Sequence, residues 1–279
     1  MDKNTICCVV VFYNPSLKNI ERIRILSHDI NVIAVDNSLG DNNIGGDACY
    51  IPLFENKGIA VAQNLGLKKA KELGYKFIVF IDQDSTIDKN YIESIHSEYN
   101  RIKEEDPSIG ILGPLVIDES RNIEYKTHTD PNKEYEIVSH IISSGSIIEM
   151  DTIDKIGLLE EDLFIDLVDS EWCWRAKRYG YNTYMTRNVI LYHSIGKDYK
   201  KMGPVAFTIS SPNRYYYQYR NTLWMMSRKY VPLNWKIRTI LRRIMDMFVV
   251  PFMSENGFHT LSFMMGGWRD GLKGDKHES

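Results

Sequence analysis

The hydrophobic pattern of the first 118 residues predicts alternating β-strands and α-helices. An unbroken run of β-branched and aromatic residues at 6–13 is typical of a parallel strand that is buried on both faces. Turn and capping residues separate it from further elements, which are helices at 18–27 and 58–73 and strands at 31–36, 50–54 and 75–81. This order predicts an α/β fold with a mostly parallel central sheet flanked by helices.

The rest of the chain has a less regular pattern. A turn at 143–146 precedes a helix that starts near Asp151, and residues 183–192 form a predicted strand. From Asn213 onward the pattern is helical and amphipathic. We therefore expect a boundary near residue 205. It divides the chain into a domain of residues 1–205, with halves at about 1–118 and 119–205, and a helical tail of residues 206–279.

Polar residues stand at the carboxyl ends of three predicted strands. They are Tyr13 and Asn14, Asp36 and Asn37, and Asp82, Gln83 and Asp84. Ligands of parallel α/β sheets bind at this edge. Asp82 and Asp84 are separated by one residue, so both carboxylates can converge on one hard cation that neutralises a diphosphate. The alternative is a solvated loop in which Ser85 or Asp88 caps the next helix.

Two further groups are candidates for nucleotide binding. The Asp36 carboxylate or the Asn37 amide could hydrogen-bond a base or ribose, although a simple Asx turn would explain them as well. Residues 56–58, Asn-Lys-Gly, stand at the start of a predicted helix that also carries Asn64. Amides at a helix N-terminus could meet phosphate or ribose.

The composition is that of a globular protein, with 43% hydrophobic and 25% charged residues, which excludes a disordered or fibrous chain. The four cysteines have no metal-binding spacing, and the amino-terminal residues do not resemble a secretion signal. The expected location is therefore the reducing cytoplasm. The apolar stretch at 244–253 is too short to span a bilayer and is interrupted by Asp246 and Pro251.

The net charge of −3 conceals a basic segment in the tail. Residues 214–243 contain eight Lys or Arg residues and no Asp or Glu, and apolar residues recur there at helical spacing. Such a helix could bind anionic lipid headgroups at the inner membrane surface. It could equally pack on the preceding domain or form a homodimer contact. Nucleic-acid binding is not favoured, because no recognition motif accompanies the charge.

A series of short motifs between residues 6 and 196 resembles one enzyme family. They are residues 9–14, 35–38, 56–60 with Asn64, 80–85, 144–146, 164–166, 169–175, 180–181 and 193–196. Together they resemble the GT-A fold family 2 glycosyltransferases, and within them the bacterial rhamnosyltransferases of polysaccharide assembly. The resemblance implies an inverting, metal-dependent enzyme that moves a sugar from a nucleoside diphosphate to a saccharide or lipid-linked saccharide acceptor.

The resemblance also implies a donor site in the half formed by residues 1–118. Its binding residues would be Phe12, Tyr13, Asn14, Asp36, Asn37, Asn56, Lys57, Gly58, Asn64, Asp82 and Gln83. A divalent cation, Mg²⁺ or Mn²⁺, would be held by Asp82, Asp84 and His193, since carboxylates and imidazole suit such ions. A histidine after a strand could otherwise be structural. The Asp-Gln-Asp-Ser motif resembles enzymes that use dTDP-L-rhamnose.

The general base implied by the resemblance is an aspartate in the half formed by residues 119–205. Asp169 aligns with the aspartate of the family's Glu-Asp pattern, but Val168 stands where the family has Glu, so Asp166 stays an alternative. If this segment is helical, both carboxylates lie on nearly the same face and Glu171 points elsewhere. The other interpretation is a helix start with acidic residues near its positive end.

Other residues of this half are candidates for the donor-sugar and acceptor pocket. They are Ser144, Gly145, Trp172 and Arg175. Trp172, like Trp174, could equally belong to the core. The Tyr-Tyr-x-x-Arg-Asn-like stretch at 216–221 also matches the resemblance, and it favours a lipid-linked acceptor at a membrane surface.

Two rival functions belong to other classes. A sugar-phosphate nucleotidyltransferase also uses metal and nucleotide, but we find no Gly-rich phosphate loop bearing Arg or Lys after the first strand. A non-catalytic subunit that only binds nucleotide-sugars would have no need for the set Asp82, Asp84, Asp169 and His193. The sequence therefore favours an enzyme over both.

Overall fold

A computed structural model of the chain describes residues 5–118, 123–124, 130–193, 199–202 and 205–274. The strands are β1 (Ile6–Phe12), β2 (Val32–Asp36), β3 (Cys49–Pro52), β4 (Phe77–Asp82), β5 (Ile109–Asp118), β6 (Ile123–Glu124), β7 (Tyr135–Val138), β8 (Ile147–Glu149), β9 (Asn182–His193), β10 (Tyr199–Met202) and β11 (Val205–Thr208). The helices are α1 (Leu17–Asp29), α2 (Ile59–Glu72), α3 (Lys89–Glu105), α4 (Met150–Ile156), α5 (Val168–Arg178), α6 (Pro212–Ser227), α7 (Leu233–Met253) and α8 (Gly257–Gly271).

The central sheet has the strand order β3-β2-β1-β4-β8-β5-β9-β7, and β6 pairs with β5. Neighbours within β3-β2-β1-β4 are parallel, as is the pair β5 and β9. The short strand β8 runs antiparallel to both of its neighbours, and β6 and β7 are also antiparallel additions. The predicted parallel βα alternation therefore describes the first half of the chain, whereas the second half adds antiparallel strands.

Strand β1 shows why this region folds as the centre of the sheet. Its side chains alternate between two hydrophobic cores, with Cys7 and Val9 in one and Cys8 and Val10 in the other. A strand covered on both faces by helices needs such a continuous apolar run. Helix α2 packs so closely on β1 that a Cβ added at Gly66 would lie 2.4 Å from Val9 Cγ1.

Local signals in the sequence set the helix ends. Ser16 forms a capping box at the start of α1, and the Asp88 side chain accepts a hydrogen bond from Tyr91 N at the start of α3. Gly74 ends α2 with a φ of +80°, a conformation that glycine adopts at little cost. These helix boundaries agree with the predicted ones.

The tail forms a helical layer with a small core of its own. Tyr215 and Tyr219 of α6 pack with Val250 of α7 and Met264 of α8. None of the helices within the described ranges combines the length and apolar composition needed to cross a bilayer. All four cysteines are free thiols.

Candidate active site

The carboxyl ends of β1, β2 and β4 lie side by side at one edge of the sheet. Phe12 is paired in register with Asp36, and Val11 with Asp82. The polar residues that follow these strands therefore come together as predicted. Tyr13 N donates a hydrogen bond to Gln83 Oε1 (2.9 Å), and Asn19 Nδ2 donates to Gln83 O (2.7 Å). The Tyr13 side chain is 48% exposed at this edge.

The Asp36 carboxylate is fully buried and is used within the protein. It accepts hydrogen bonds from Ser38 N (3.1 Å), Asn42 Nδ2 (2.8 Å) and the Tyr50 hydroxyl (2.8 Å). These contacts order the loop after β2, so Asp36 has at least the turn-forming role that the sequence left open. Its contact with a nucleotide stays a prediction. Phe12 is also fully buried.

Asn37 joins this loop to the start of α2. Its Nδ2 donates to Asn56 Oδ1 (2.9 Å), and its Oδ1 accepts from Lys57 N (2.8 Å). Ser38 Oγ in turn accepts from Asn14 N (2.8 Å). The predicted nucleotide-binding residues of the β1, β2 and α2 regions thus form one hydrogen-bonded rim.

The start of α2 is already capped from within the protein. Gly58 has φ +88° and ψ 160°, and the Phe164 carbonyl accepts a hydrogen bond from Ile59 N (2.7 Å). The buried Asn64 side chain donates to Leu159 O (2.8 Å) and accepts from Leu159 N (3.0 Å). These residues connect the donor half to the segment that precedes α5, and their contact with nucleotide stays a prediction.

The turn at 143–146 holds Asp82 in place from the buried side. The Asp82 N–H donates to Ser144 Oγ (3.0 Å), and the hydroxyls of Ser144 and Ser85 lie 2.8 Å apart. Gly145 has φ +77°, and a Cβ there would lie 2.5 Å from the Tyr91 hydroxyl. Ser144 is 1% exposed, so it supports the Asp-Gln-Asp segment from inside; its predicted pocket role stays a prediction.

Carboxylates crowd around Asp82. Burial and the charges of Asp84 and Asp169 raise the pKa of Asp82 to about 7, and the nearby Arg214 opposes this shift. Such a cluster has the chemistry of a hard-cation site, because a divalent ion would offset the repulsion between these carboxylates. Within the described side chains, no three acidic, histidine or cysteine residues form a complete ligand set. The predicted third ligand, His193, ends β9, and its side chain lies outside the described residues.

Asp169 lies in the first turn of α5 and faces the same edge. Its carboxylate accepts hydrogen bonds from the backbone and side chain of Ser143. Burial, with a smaller contribution from the charge of Asp166, raises the pKa of Asp169 to about 6. A carboxylate with this pKa is ionised at neutral pH and is more basic than an ordinary aspartate.

Asp166 is in a different situation from Asp169. It precedes α5 with a φ of +63°, so the two carboxylates do not share a helix face. The Asp166 carboxylate accepts from Arg214 Nε (2.9 Å) and from Arg214 Nη2 (2.7 Å). This bidentate ion pair occupies Asp166, whereas Asp169 is held by the neutral Ser143.

The remaining pocket candidates on α5 point into the protein. Trp172 is 3% exposed and donates from Nε1 to Gly157 O (2.9 Å), which supports the core interpretation. Arg175 binds the fully buried Glu171 (2.9 Å) and the carbonyls of Ile156 and Leu158. Glu171 therefore points away from Asp169, as expected. The pocket roles of Trp172 and Arg175 stay predictions without support from these contacts.

Helix α6 contributes residues that the sequence interpretation missed. Asn221 is fully buried, and its Nδ2 donates to the carbonyls of Leu163 (2.9 Å), Ile165 (2.8 Å) and Asp166 (3.0 Å). Its neighbour Arg220 donates to Leu163 O (3.2 Å). The Tyr-Tyr-x-x-Arg-Asn-like stretch was the available signal. The Arg220 and Asn221 side chains of this stretch are directed towards the segment before α5, and its association with a membrane surface stays a prediction.

That segment has a strained backbone. Phe164, Asp166 and Leu167 all have positive φ values of 63° to 65°, a conformation that costs non-glycine residues about 1–3 kcal/mol each. The Phe164 ring stacks on Tyr217 of α6 at 4.5 Å between centroids. Helix α6 thus holds a strained connection that aims Asp166 and Asp169 at the carboxyl edge of the sheet.

Comparison with solved structures supports the class that this fold defines. The chain is similar to GalNAc-T7, solved with UDP, GalNAc and Mn²⁺, with a TM-score of 0.57 and 12% identity over 96% of this chain. It is also similar to S. aureus TarS, with a TM-score of 0.51 and 15% identity over 90% of this chain. The chain spans only 56% and 44% of those two chains. The predicted GT-A glycosyltransferase fold is confirmed.

One relative, a bacterial protein, matches this chain over nearly the whole length of both. The chain is 29% identical over 290 residues to dTDP-rhamnosyl transferase RfbF of Shigella flexneri, covering 97% of this chain and 96% of the relative. No family model matches the chain. The fold and this full-length similarity agree that the chain is similar to glycosyltransferases, and the predicted likeness to rhamnosyltransferases is confirmed.

Proposed function

We propose that the protein is an inverting, metal-dependent rhamnosyltransferase. It transfers L-rhamnose from dTDP-L-rhamnose to a saccharide or lipid-linked saccharide in polysaccharide assembly. The observation that carries this proposal is the cluster of Asp82, Asp84 and Asp169 at the carboxyl edge of the sheet, where burial together with the charges of Asp84 and Asp169 raises the pKa of Asp82 to about 7. The name of the full-length relative supports the choice of donor.

Asp82 and Asp84 would hold Mg²⁺ or Mn²⁺, and His193 is the proposed third ligand. The bound ion supplies Lewis-acid stabilisation of the departing diphosphate, an effect usually worth several kcal/mol. The crowding of carboxylates fits this assignment because their mutual repulsion is relieved when a cation is present. Ser144 keeps Asp82 in position through the hydrogen bond from Asp82 N.

Asp169 is the proposed general base. As the bond between the acceptor oxygen and the anomeric carbon forms, the bond from that carbon to the diphosphate breaks, and the acceptor proton moves to a carboxylate oxygen of Asp169. Such proton transfer contributes on the order of 10²- to 10⁴-fold in rate. Ser143 orients this carboxylate, and the ion pair with Arg214 makes Asp166 the weaker candidate.

The nucleoside part of the donor would bind along the rim at the ends of β1 and β2. Tyr13 presents a half-exposed ring on which a base can stack, next to the amides of Asn37 and Asn56. Lys57 is exposed on the same rim and forms an ion pair with Glu55 (2.7 Å). The pyrophosphate then extends from this rim towards Asp82 and Asp84.

The proposal is tested by incubating the protein with a panel of nucleotide-sugars and Mn²⁺ and measuring the release of the nucleoside diphosphate. We expect release from dTDP-rhamnose above that from UDP- and GDP-sugars. Release from a different donor alone would reject the choice of dTDP-rhamnose. Pyrophosphate exchange would instead indicate a nucleotidyltransferase, and binding without release of any diphosphate would indicate a non-catalytic subunit.

The tail, residues 206–279, is proposed to bind an anionic membrane surface that carries the lipid-linked acceptor. Its charge is less available than the sequence suggested, because Arg214, Arg228, Arg242 and Arg243 form ion pairs with acidic residues of this chain. The exposed apolar face of α7 and the start of α8 is the stronger support. It is formed by Ile237, Leu241, Ile244, Phe248, Phe252 and Phe258, and Lys229 and Arg238 are exposed basic residues of the same tail.

A further inference from the structure

The carboxyl edge of the sheet concentrates negative charge. Asp82 and Asp84 lie there together with Asp169, and Asp166 precedes Asp169 by three residues. Under the proposed function, the site must also receive a diphosphate, whose negative charge increases by one when the bond to the sugar breaks. One divalent cation offsets only part of this total. Like charges in a partly buried site repel strongly, so an additional fixed positive charge would stabilise the departing diphosphate.

Arg214 supplies a positive charge at this position. It lies in the first turn of α6, and its side chain is 33% exposed, so the side chain is partly buried and partly accessible to solvent. Its guanidinium is paired with Asp166, three residues before Asp169. Asp169 accepts hydrogen bonds from Ser143, whose neighbour Ser144 accepts the hydrogen bond from Asp82 N. The guanidinium is therefore close to the residues that would hold the metal and the diphosphate.

The position of the guanidinium is fixed by its own ion pair and by the attachment of its helix. Its Nε and Nη2 groups form the bidentate pair with Asp166. Helix α6 itself is attached to the same segment by Asn221, which donates hydrogen bonds to three carbonyls between Leu163 and Asp166. A charge fixed before the ligand arrives stabilises the developing negative charge without further reorganisation.

The side of the site on which Arg214 lies indicates which phosphate it would meet. The nucleoside rim is built by residues after β1 and β2, whereas Asp166 and Arg214 belong to the side of Asp169. The base must reach the acceptor at the anomeric carbon, and that carbon is bonded to the second phosphate from the nucleoside. The second phosphate is thus the one nearest to Arg214.

We propose that Arg214 is a further donor-binding residue, whose guanidinium binds the sugar-bearing phosphate of the nucleoside-diphosphate sugar while Asp166 holds it in place. This inference rests on the proposed function. A planar guanidinium suits the role, since it presents five N–H donors and can bind one carboxylate and one phosphate with different edges. The tail thereby completes the active site instead of serving only as an attachment surface.

The test is isothermal titration calorimetry of dTDP and of dTMP, with Mn²⁺ present, on the full-length chain. Arg214→Gln should weaken dTDP binding by about tenfold or more, the effect typical of a charge-assisted hydrogen bond, and change dTMP binding much less because dTMP lacks the second phosphate. Arg214→Lys keeps the charge without the planar fork and should give an intermediate loss. The matched control is Arg242→Gln, which removes another arginine paired with an aspartate, Asp246, on α7.

Three results would overturn the proposal. Unchanged dTDP affinity in Arg214→Gln would reject the phosphate contact while leaving the proposed function intact. Equal weakening of dTDP and dTMP, with a lowered melting temperature, would reduce Arg214 to a structural role. No dTDP binding by the unsubstituted protein would contradict the proposed function and this inference together.

Discussion

At the scale of single residues, the most informative feature is the free-energy cost of ionising the Asp169 carboxylate in the folded protein. A half-buried aspartate whose pKa rises to about 6 is less stable when ionised than it would be in water. The unfolded chain, with an ordinary aspartate pKa, loses its proton first as the pH rises. The free energy of unfolding therefore falls between about pH 4 and pH 6, and the full penalty is present above pH 6. Such a penalty is expected where function requires the carboxylate.

Asp169→Asn should therefore increase stability while abolishing transfer. We expect a gain in the free energy of unfolding on the order of 1–3 kcal/mol at pH 7.5, which shrinks to nearly zero at about pH 4. Binding of dTDP should be retained. Urea denaturation at several pH values measures the stability, and release of dTDP from dTDP-rhamnose measures the chemistry. A variant with normal turnover would reassign the base, and a variant destabilised at pH 7.5 would contradict the burial argument.

Contacts between distant residues were the part that the sequence predicted least well. The position of Asp82 and Asp84 at the edge of the sheet was predictable because its signal is local, two carboxylates directly after a buried strand. The ion pair of Asp166 with Arg214 joins residues 48 positions apart, and no pattern in the sequence indicates it. Likewise, nothing local shows that Arg175 is committed to the buried Glu171.

At the scale of elements, the strained connection before α5 determines where the carboxylates point. It is held between the start of α2 and one face of α6. On the α2 side, Gly58 packs tightly against this connection. A Cβ at Gly58 would lie 2.6 Å from both the carbonyl oxygen and the ring of Phe164. The φ and ψ of Gly58 also fall in a region that is almost restricted to glycine.

Gly58→Ala should accordingly displace Phe164 and the carboxylates behind it. We expect a loss of at least about 2–3 kcal/mol in the free energy of unfolding and a drop in dTDP release beyond that expected from unfolded protein. Gly74→Ala is the matched control, because Gly74 also has a positive φ of +80° but a Cβ there would meet nothing within 4 Å. The control should lose about 1 kcal/mol and keep its activity. Equal effects of the two substitutions would show that Phe164 does not transmit the change.

Elements with a strong periodic pattern were predictable. Strands β1, β2 and β4 and helices α1 and α2 follow from buried apolar runs and from capping residues such as Ser16 and Gly74. The antiparallel insertion of β8 between β4 and β5 was not predicted, because its three residues carry too little pattern. The sequence left open whether one helix contains both Asp166 and Asp169. Helix α5 begins only at Val168, because the positive φ values of Asp166 and Leu167 do not fit an α-helix.

At the scale of the whole molecule, the helices of the tail present two different surfaces. Helix α6 contacts the segment before α5, whereas α7 and α8 expose a row of large apolar residues. Contiguous apolar surface of this kind usually marks an interaction site. A basic, aromatic-rich tail would bring the active site to a membrane-bound acceptor.

The membrane proposal predicts binding to vesicles that contain an anionic lipid. Phe252 and Phe258 are 91% and 93% exposed, so replacing both by Ser should leave the fold intact and reduce flotation with phosphatidylglycerol vesicles several-fold. Leu17→Ser, at a residue that is 85% exposed on α1, is the matched control. Flotation equal to that of the unsubstituted protein would reject the proposal. A change from dimer to monomer in light scattering, with no vesicle binding by either protein, would assign the face to a homodimer instead.

The metal dependence of dTDP binding tests the central claim most directly. Calorimetry with Mn²⁺ and then with EDTA should show affinity that falls at least about tenfold when the ion is removed, because Asp82 and Asp84 otherwise repel the diphosphate. Asp84→Ala should bind dTDP weakly and to the same extent in both buffers. Undiminished binding in EDTA, together with normal dTDP release by the Asp82→Ala, Asp84→Ala double variant, would contradict the account.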